Sequence, residues 1–208
     1  FTNARTAELV KLTENSYRDV NIAFANELSM ISDSLDINPR ELINLCNHHP
    51  RVNILNPSCG VGGHCIAVDP WFIVSAVPEL SKLIKTARNV NDSKVKWVIN
   101  KIEIQLNELN QELLRSPKVG IMGLAYKPDV DDLRESSALI IAKKLISKGY
   151  EVTACEPNLN NYSEIKLYTQ EEIINHVDVL IFLVAHKPFK RMDISNKKFM
   201  DFCGIFQK

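Results

Sequence analysis

This 208-residue sequence lacks any excess of charge: Lys plus Arg total 25 and Asp plus Glu total 25, for a formal net charge of zero. That balance argues against a nucleic-acid-binding or membrane-surface protein, both of which gather cations on one face. No apolar run is long enough to span a bilayer; the best, Val177 to Ala185, is interrupted by Asp178 and is strand-length. No N-terminal segment reads as a secretory leader. The chain starts at Phe1-Thr2-Asn3 without an initiator methionine, as a fragment would. The cysteines, Cys46, Cys59, Cys65, Cys155 and Cys203, are odd in number, scattered and without a Cys-x-x-Cys pair. They point to a reducing compartment, hence the cytoplasm, rather than to a disulfide framework. His48-His49 has no second ligand pair at zinc spacing, so no metal site is expected. Repeats and low-complexity segments are missing too. Glycine is scarce, 7 in all, and three of the seven fall between positions 60 and 63.

That concentration makes Gly60-Val61-Gly62-Gly63-His64-Cys65-Ile66-Ala67-Val68-Asp69-Pro70 the most informative stretch. Glycines let the backbone take positive φ and approach a ligand closely. Asp69-Pro70 reads as the cap and first residue of a helix, so the loop ends at a positive dipole end that favours a thiolate or a bound anion. Cys65 is then either a presented nucleophile or a small buried hydrophobe.

The spacing predicts one long helix over 6–34, with Val20, Phe24, Leu28, Ile31 and Leu35 as its apolar stripe. Asn38-Pro39-Arg40-Glu41 starts a short helix that ends near Asn47. Residues 48–64 read as an ordered loop, followed by a helix from Asp69 interrupted near Pro78. A second long amphipathic helix covers 87–115, with Val95, Val98, Ile99, Ile102, Leu106, Leu109 and Leu113 on one face. After Ser116-Pro117 the period changes. Strands are expected at 118–122, 151–155 and 179–184, separated by helices around 139–146 and 171–177. The pattern gives an α plus α/β fold. An all-α domain over 1–116 precedes a small Rossmann-like parallel domain over 117–208.

Further residues could carry chemistry. Lys11 and Asn15 share a helix face, which is either a solvated face or a cation and an amide aimed into one space. Gly120-Ile121-Met122-Gly123 follows a strand like half of a phosphate-binding turn, without the third glycine. The segment after it offers Lys127 and Arg134 to phosphate oxygens, at the carboxyl end of the first strand. The alternative is a charged surface loop in which Ser136 or Ser137 caps the next helix. Glu156-Pro157 follows the second strand, where an acid can meet a ribose but a turn is the commoner use.

Four stretches in this order resemble the UDP-glucose and GDP-mannose dehydrogenase family, the nucleotide-sugar 6-dehydrogenases. They are Ala7–Asn15 continued by Arg18–Ala23, His49-Pro50-Arg51-Val52-Asn53, Gly60–Val74 and Gly123–Ser136. The wording Ala67-Val68-Asp69-Pro70-Trp71-Phe72 favours the branch acting on UDP-N-acetylmannosamine. The resemblance implies that Cys65 is the catalytic nucleophile, that Lys11 and Asn15 bind the oxyanion or water, and that Asp69 is the acid paired with them. It implies that Arg51 reaches substrate across a homodimer interface, that Gly62 and Gly63 wrap the nucleotide sugar, that Lys127 contacts substrate and that Arg134 contacts cofactor. The expected cofactor is NAD and the expected partner a UDP-sugar. The expected reaction oxidises a C6 alcohol twice, through a thiohemiacetal and a thioester on Cys65. Family members also carry an N-terminal NAD-binding domain that this stretch of sequence does not show, so the piece alone is expected to be inactive. The competing readings are a non-catalytic dimerisation or nucleotide-sugar-binding module and, less favoured, a cysteine hydrolase, for which His64 sits in no triad-like spacing.

Overall fold

The computed structural model describes residues 2–206. It forms two compact units, Phe1–Lys94 and Val95–Lys208, so the division falls inside a helix. Each unit is built on a different kind of core.

The first unit is helical. Helix α1 (Ala4–Ser34) begins where the Asn3 side chain accepts the Thr6 N–H at 2.8 Å. Helix α2 (Pro39–Cys46) starts as its sequence predicts, with Asn38 accepting from Arg40 and Glu41 and Pro39 at the first turn. Helix α3 runs Asp69–Ala76, and α4 (Lys82–Leu113) starts five residues earlier than its apolar spacing predicts. The α1 stripe behaves unexpectedly: Phe24, Ile31 and Leu35 are exposed, while Val20 and Leu28 are half-buried. The buried face of α1 is instead mostly polar, with Asn15, Ser16, Asp19, Asn26, Ser29 and Ser32 beside Ala23 and Ala25.

This inversion is stable because α4 supplies partners. Arg88 donates to Asp19 at 2.7 Å, and Asn91 donates to the same carboxylate at 2.8 Å. Asn26 donates to Asn91 at 2.9 Å, and Lys94 donates to Ser29 at 2.8 Å. Buried polar groups are tolerated when they meet each other.

The second unit is α/β. Strands β1 (Lys118–Met122), β2 (Glu151–Cys155), β3 (Val179–Phe182) and β4 (Lys198–Asp201) form one parallel sheet in the order β2-β1-β3-β4. Helix α5 (Ser137–Ser147) crosses from β1 to β2, and α6 (Gln170–His176) crosses from β2 to β3. Ser136 caps α5, and a Thr169–Glu172 capping box opens α6. β1 and β3 are buried almost throughout, as parallel strands between crossovers are. β4 and the short 3-10 turn at Lys187–Arg191 have no counterpart in the sequence expectation. β4 is a four-residue edge strand of mixed polarity and half exposed, so it lacks the apolar run that marks β3. The core gathers Met122, Cys155, Ile173, Val177, Leu180, Phe182 and Phe189. Phe182 meets Phe189, Phe199 and Phe206 edge to face.

Candidate active site

In the first unit, the loop 48–64 is pinned at its base by Asn47, whose amide donates to the Ile54 carbonyl at 2.9 Å and accepts the Ile54 N–H at 2.7 Å. Arg51 lies exposed on the turn so formed. Farther on, the Ser58 N–H donates to the Asn26 side chain at 2.8 Å, tying the loop to α1. Gly60 and Gly63 both hold positive φ, 149° and 86°, and Gly62 lies between them half-buried. The chain then turns at Cys65, which is half-buried and unpaired. Its carbonyl accepts the N–H groups of Val68 and Asp69 at 3.0 and 2.8 Å.

Asp69 corrects the cap expected of it. Val68 occupies the cap position without a side-chain bond, and Asp69 is the first helical residue. Its carboxylate is taken by α1: Asn15 Nδ2 donates to Asp69 Oδ2 at 2.5 Å. Asn15 is buried, 3% exposed. The structure thus joins Asn15, Asp69 and the Cys65 turn across 54 residues of sequence. Lys11, one turn before Asn15, is exposed, and its ammonium lies 3.6 Å from Glu14. An amide bonded to a carboxylate on the turn that carries a half-buried cysteine is a set that can support nucleophilic addition to a carbonyl and hydrolysis of the adduct; among the described residues, Lys11 is not drawn into it by any contact of its own with these residues.

In the second unit, the switch point of the sheet lies between β1 and β3, because the connection leaving β1 runs to β2 while the connection leaving β3 runs the other way to β4. Open α/β sheets bind ligands outside the carboxyl ends of strands at such a point. The segment 123–136 leaves β1 there. Lys127 is exposed beside the Tyr126 ring, 5.4 Å from its centroid. Arg134 is exposed and held by Asp132 through contacts of 2.6 to 3.1 Å. Gly120 and Gly123 do not form a dinucleotide cradle. A Cβ on Gly120 would meet Val177 at 2.9 Å, and one on Gly123, at φ +91°, would meet Val184 at 2.5 Å. Both serve close packing.

Sequence reasoning left Glu156 as a turn or a ribose ligand. The turn is there, since the Glu156 carbonyl accepts the Leu159 N–H at 3.2 Å, but the side chain is buried, 4% exposed, and turns inward instead of presenting itself to a ribose. Oε2 accepts the N–H groups of Leu124 and Ala125 at 2.7 and 3.0 Å and meets His186 Nε2 at 3.1 Å. Burial tends to raise its pKa. The bond from His186 and the two backbone bonds overcome that and hold it below the ordinary glutamate value. His186 carried no motif; the only sequence signal was its place just past the apolar β3 run, where α/β sheets gather ligand loops.

The chain matches the model of the UDP-glucose/GDP-mannose dehydrogenase family, central domain, over residues 5–93, and of the same family's UDP binding domain over 120–208. A Campylobacter jejuni protein named UDP-N-acetyl-D-mannosamine dehydrogenase is 52% identical over 98% of this chain and 50% of its own length. A Ralstonia solanacearum protein named NDP-N-acetyl-D-galactosaminuronic acid dehydrogenase is 46% identical over 92% of this chain and 45% of its own. The solved UDP-N-acetyl-mannosamine dehydrogenase of S. aureus superposes with a TM-score of 0.86 at 39% identity, covering all of this chain and 50% of that one. The chain therefore spans about half the length of the relatives it matches. By the two family models together, the chain belongs to the UDP-glucose/GDP-mannose dehydrogenase family of oxidoreductases.

Proposed function

We propose that this chain is part of an NAD-dependent 6-dehydrogenase that converts UDP-N-acetyl-D-mannosamine to the corresponding uronate, with residues 1–116 as the catalytic and dimerisation domain and 117–208 as the nucleotide-sugar domain. One observation supports the reading: the Asn15–Asp69 hydrogen bond, with the Asp69 N–H on the Cys65 carbonyl, brings three of the four expected catalytic residues to one turn, while Lys11 stays on the exposed face of α1 beside Glu14. The substrate choice is supported by the names of the C. jejuni and S. aureus relatives. The R. solanacearum relative supports a second reading, another nucleotide-linked N-acetylhexosamine.

Two NAD, bound in turn, would each accept one of the two hydrides that leave C6. Of the described residues, Arg134 is the one assigned to the cofactor, since the β1 glycines are committed to packing. The remaining chemistry belongs to this chain. The Cys65 thiolate adds to the C6 aldehyde, forming an S–C bond, and Lys11 and Asn15 stabilise the alkoxide that develops on oxygen. After the second oxidation, water adds to the thioester, Asp69 takes its proton, and the S–C bond breaks to release carboxylate and thiol. Lys127 binds the diphosphate, and Gly62 and Gly63 let the backbone close on the sugar.

The homodimer is supported by the exposed face of α1. Val10, Tyr17, Phe24 and Ile31 are 51%, 70%, 51% and 46% exposed. They recur every seven residues, as a seam between two helices does. A second copy covers this face and places its Arg51 near the substrate. The odd, scattered set of five cysteines agrees with a cytoplasmic site. Among the described residues, no helix is long and apolar enough to cross a membrane.

The test is the full-length protein assayed for NADH with UDP-N-acetylmannosamine, UDP-N-acetylglucosamine and UDP-glucose. Preference for the first is expected, and preference for UDP-glucose overturns the substrate. Cys65→Ser stops carboxylate formation; product at the normal rate would remove the covalent role.

A further inference from the structure

Glu156 and His186 form the most buried charged cluster of the second unit, at 4% and 0% exposure, and no step above uses them. Every polar atom of the pair is committed. Glu156 Oε2 holds the N–H groups of Leu124 and Ala125 and the His186 ring, and Oε1 accepts from the Asn158 backbone and side chain at 3.2 and 3.3 Å. On the far side of the ring, His186 Nδ1 accepts the Asp129 N–H at 2.9 Å, and the Asn158 amide lies 3.2 Å from it. Because Nδ1 accepts from the backbone, the ring proton resides on Nε2 and is donated to Glu156.

The backbone atoms so bound lie on either side of Lys127. Beyond Met122 the pairing of β1 with its neighbours ends, so Leu124, Ala125 and Asp129 have no ladder partners. Asp129 adopts φ 60°, which a non-glycine residue holds only when its surroundings impose it. Its carboxylate accepts the Lys187 N–H at 3.0 Å, closing the turn from its other side. Ser136 Oγ donates to the Leu124 carbonyl at 2.6 Å, which ties the same strand end to the start of α5. A buried carboxylate is costly unless its bonds are complete. Simple packing would be met by an apolar pair of the same volume, which would leave the N–H groups of Leu124, Ala125, Asp129 and Asn158 without these acceptors.

We propose that Glu156 and His186 are positioning residues for nucleotide-sugar binding: through the backbone of Leu124, Ala125 and Asp129 they fix the turn that presents Lys127. The inference rests on the proposed function, since it takes Lys127 as a ligand of the diphosphate. Neither residue touches substrate. Their effect falls on affinity and leaves the Cys65 chemistry alone.

The experiment uses the full-length protein with Glu156→Gln and His186→Gln. The first removes the charge that two N–H groups share. The second keeps a donor for Glu156 and replaces the fixed ring acceptor of the Asp129 N–H with a flexible amide. KM for the UDP-sugar and Kd for UDP are expected to rise roughly tenfold in each, with kcat at saturation within about twofold of wild type. Amide exchange at Leu124, Ala125 and Asp129 accelerates, while exchange in β1 and β3 does not change. A folded variant with wild-type KM, or with reduced kcat at wild-type KM, overturns the proposal. Should Glu156→Gln fail to fold, His186→Gln carries the same readouts. If wild type binds neither UDP nor UDP-sugar, the proposed function falls. Amide exchange still decides whether the pair orders the turn, and unchanged exchange there overturns the inference by itself.

Discussion

Helix α1 and strand β3 show two ways of building an interior in one chain. β3 buries Val179, Leu180, Ile181 and Phe182, and its neighbours in the core are aliphatic and aromatic. α1 buries asparagines, serines and an aspartate while leaving Val10, Tyr17, Phe24 and Ile31 outside. In the α/β unit, apolar pattern and burial coincide because the sheet closes its own core. In the helical unit they part, because α4 supplies partners to much of the polar face of α1, though among the described residues Ser16 Oγ, Asp19 Oδ2, Ser32 Oγ and Arg88 Nε lack one, and the apolar face of α1 is left for another surface. A hydrophobic stripe therefore marks a face that is to be covered, and does not say by what.

The comparison is tested most strongly by emptying each core. Phe182→Ala is expected to cost ~3–5 kcal/mol in urea unfolding, through lost transfer energy and the cavity left behind. Arg88→Ala is expected to cost a similar ~3–5 kcal/mol, because it leaves the Asp19 carboxylate buried without its cation. The two cores separate on the compensating change. Asp19→Leu combined with Arg88→Met is expected to recover most of that loss, since a buried ion pair is often no more stabilising than an apolar pair of like volume. If the double variant is as unstable as Arg88→Ala, the polar network stabilises the fold in its own right and the contrast with β3 weakens.

A next effect is on rate. Asn15→Ala is expected to lower kcat by ~10²–10³ in the full-length protein, the usual cost of one preorganised donor. Unfolding stability should move by only ~1–3 kcal/mol, the cost of leaving Asp69 with one bond fewer. Loss of stability without loss of rate would assign Asn15 to the polar core alone. Smaller again is the effect on assembly: Phe24→Glu is expected to turn a dimer into a monomer in sedimentation, with little change in the stability of the protomer, because the side chain is already exposed. A dimer that persists would mean that the second copy covers another face.

Most of the α/β unit was legible because parallel strands are continuous apolar runs and the first crossover helix is capped at Ser136, whereas the Thr169–Glu172 box that opens the second carried no part of that reading. β4 was not, since a short edge strand of mixed polarity carries no period. The α1 stripe was visible, yet its orientation depended on Arg88, Asn91 and Lys94 some 65 to 72 residues away, which no local pattern reports. At the site, the i, i+4 spacing put Lys11 and Asn15 on one face, but the partner of Asn15 proved to be Asp69, which local spacing assigned to a cap. The Glu156–His186 pair was illegible for the same reason: 30 residues separate two groups that meet only because β2 and β3 flank β1.

The finest test concerns Lys94, whose buried ammonium has no equivalent among the described residues of the α/β core. Burial lowers its pKa from 10.5 to about 8, and the nearby Cys59 and Asp33 only partly oppose this. Below about pH 8 both folded and unfolded chains carry the charge, and the folded state bears the full burial penalty. Between there and 10.5 the folded state gives up the proton while the unfolded chain keeps it, so this residue's contribution to stability rises with pH. Cys59 and Cys155 act in the opposite sense: burial raises both thiols from 9.0 to about 12, so their contribution is complete below 9.0 and is lost above it. Wild-type stability alone is therefore nearly flat across this range. The difference between wild type and Lys94→Met cancels most of the cysteine contribution. It is expected to shift in favour of wild type by ~1 kcal/mol from about pH 7.5 to about pH 9. A difference independent of pH would mean that Lys94 keeps its proton in the folded state as readily as in the unfolded chain. The polar interior of the helical unit would then carry no burial penalty at its only lysine, and the contrast with the apolar sheet would be one of composition without a thermodynamic consequence.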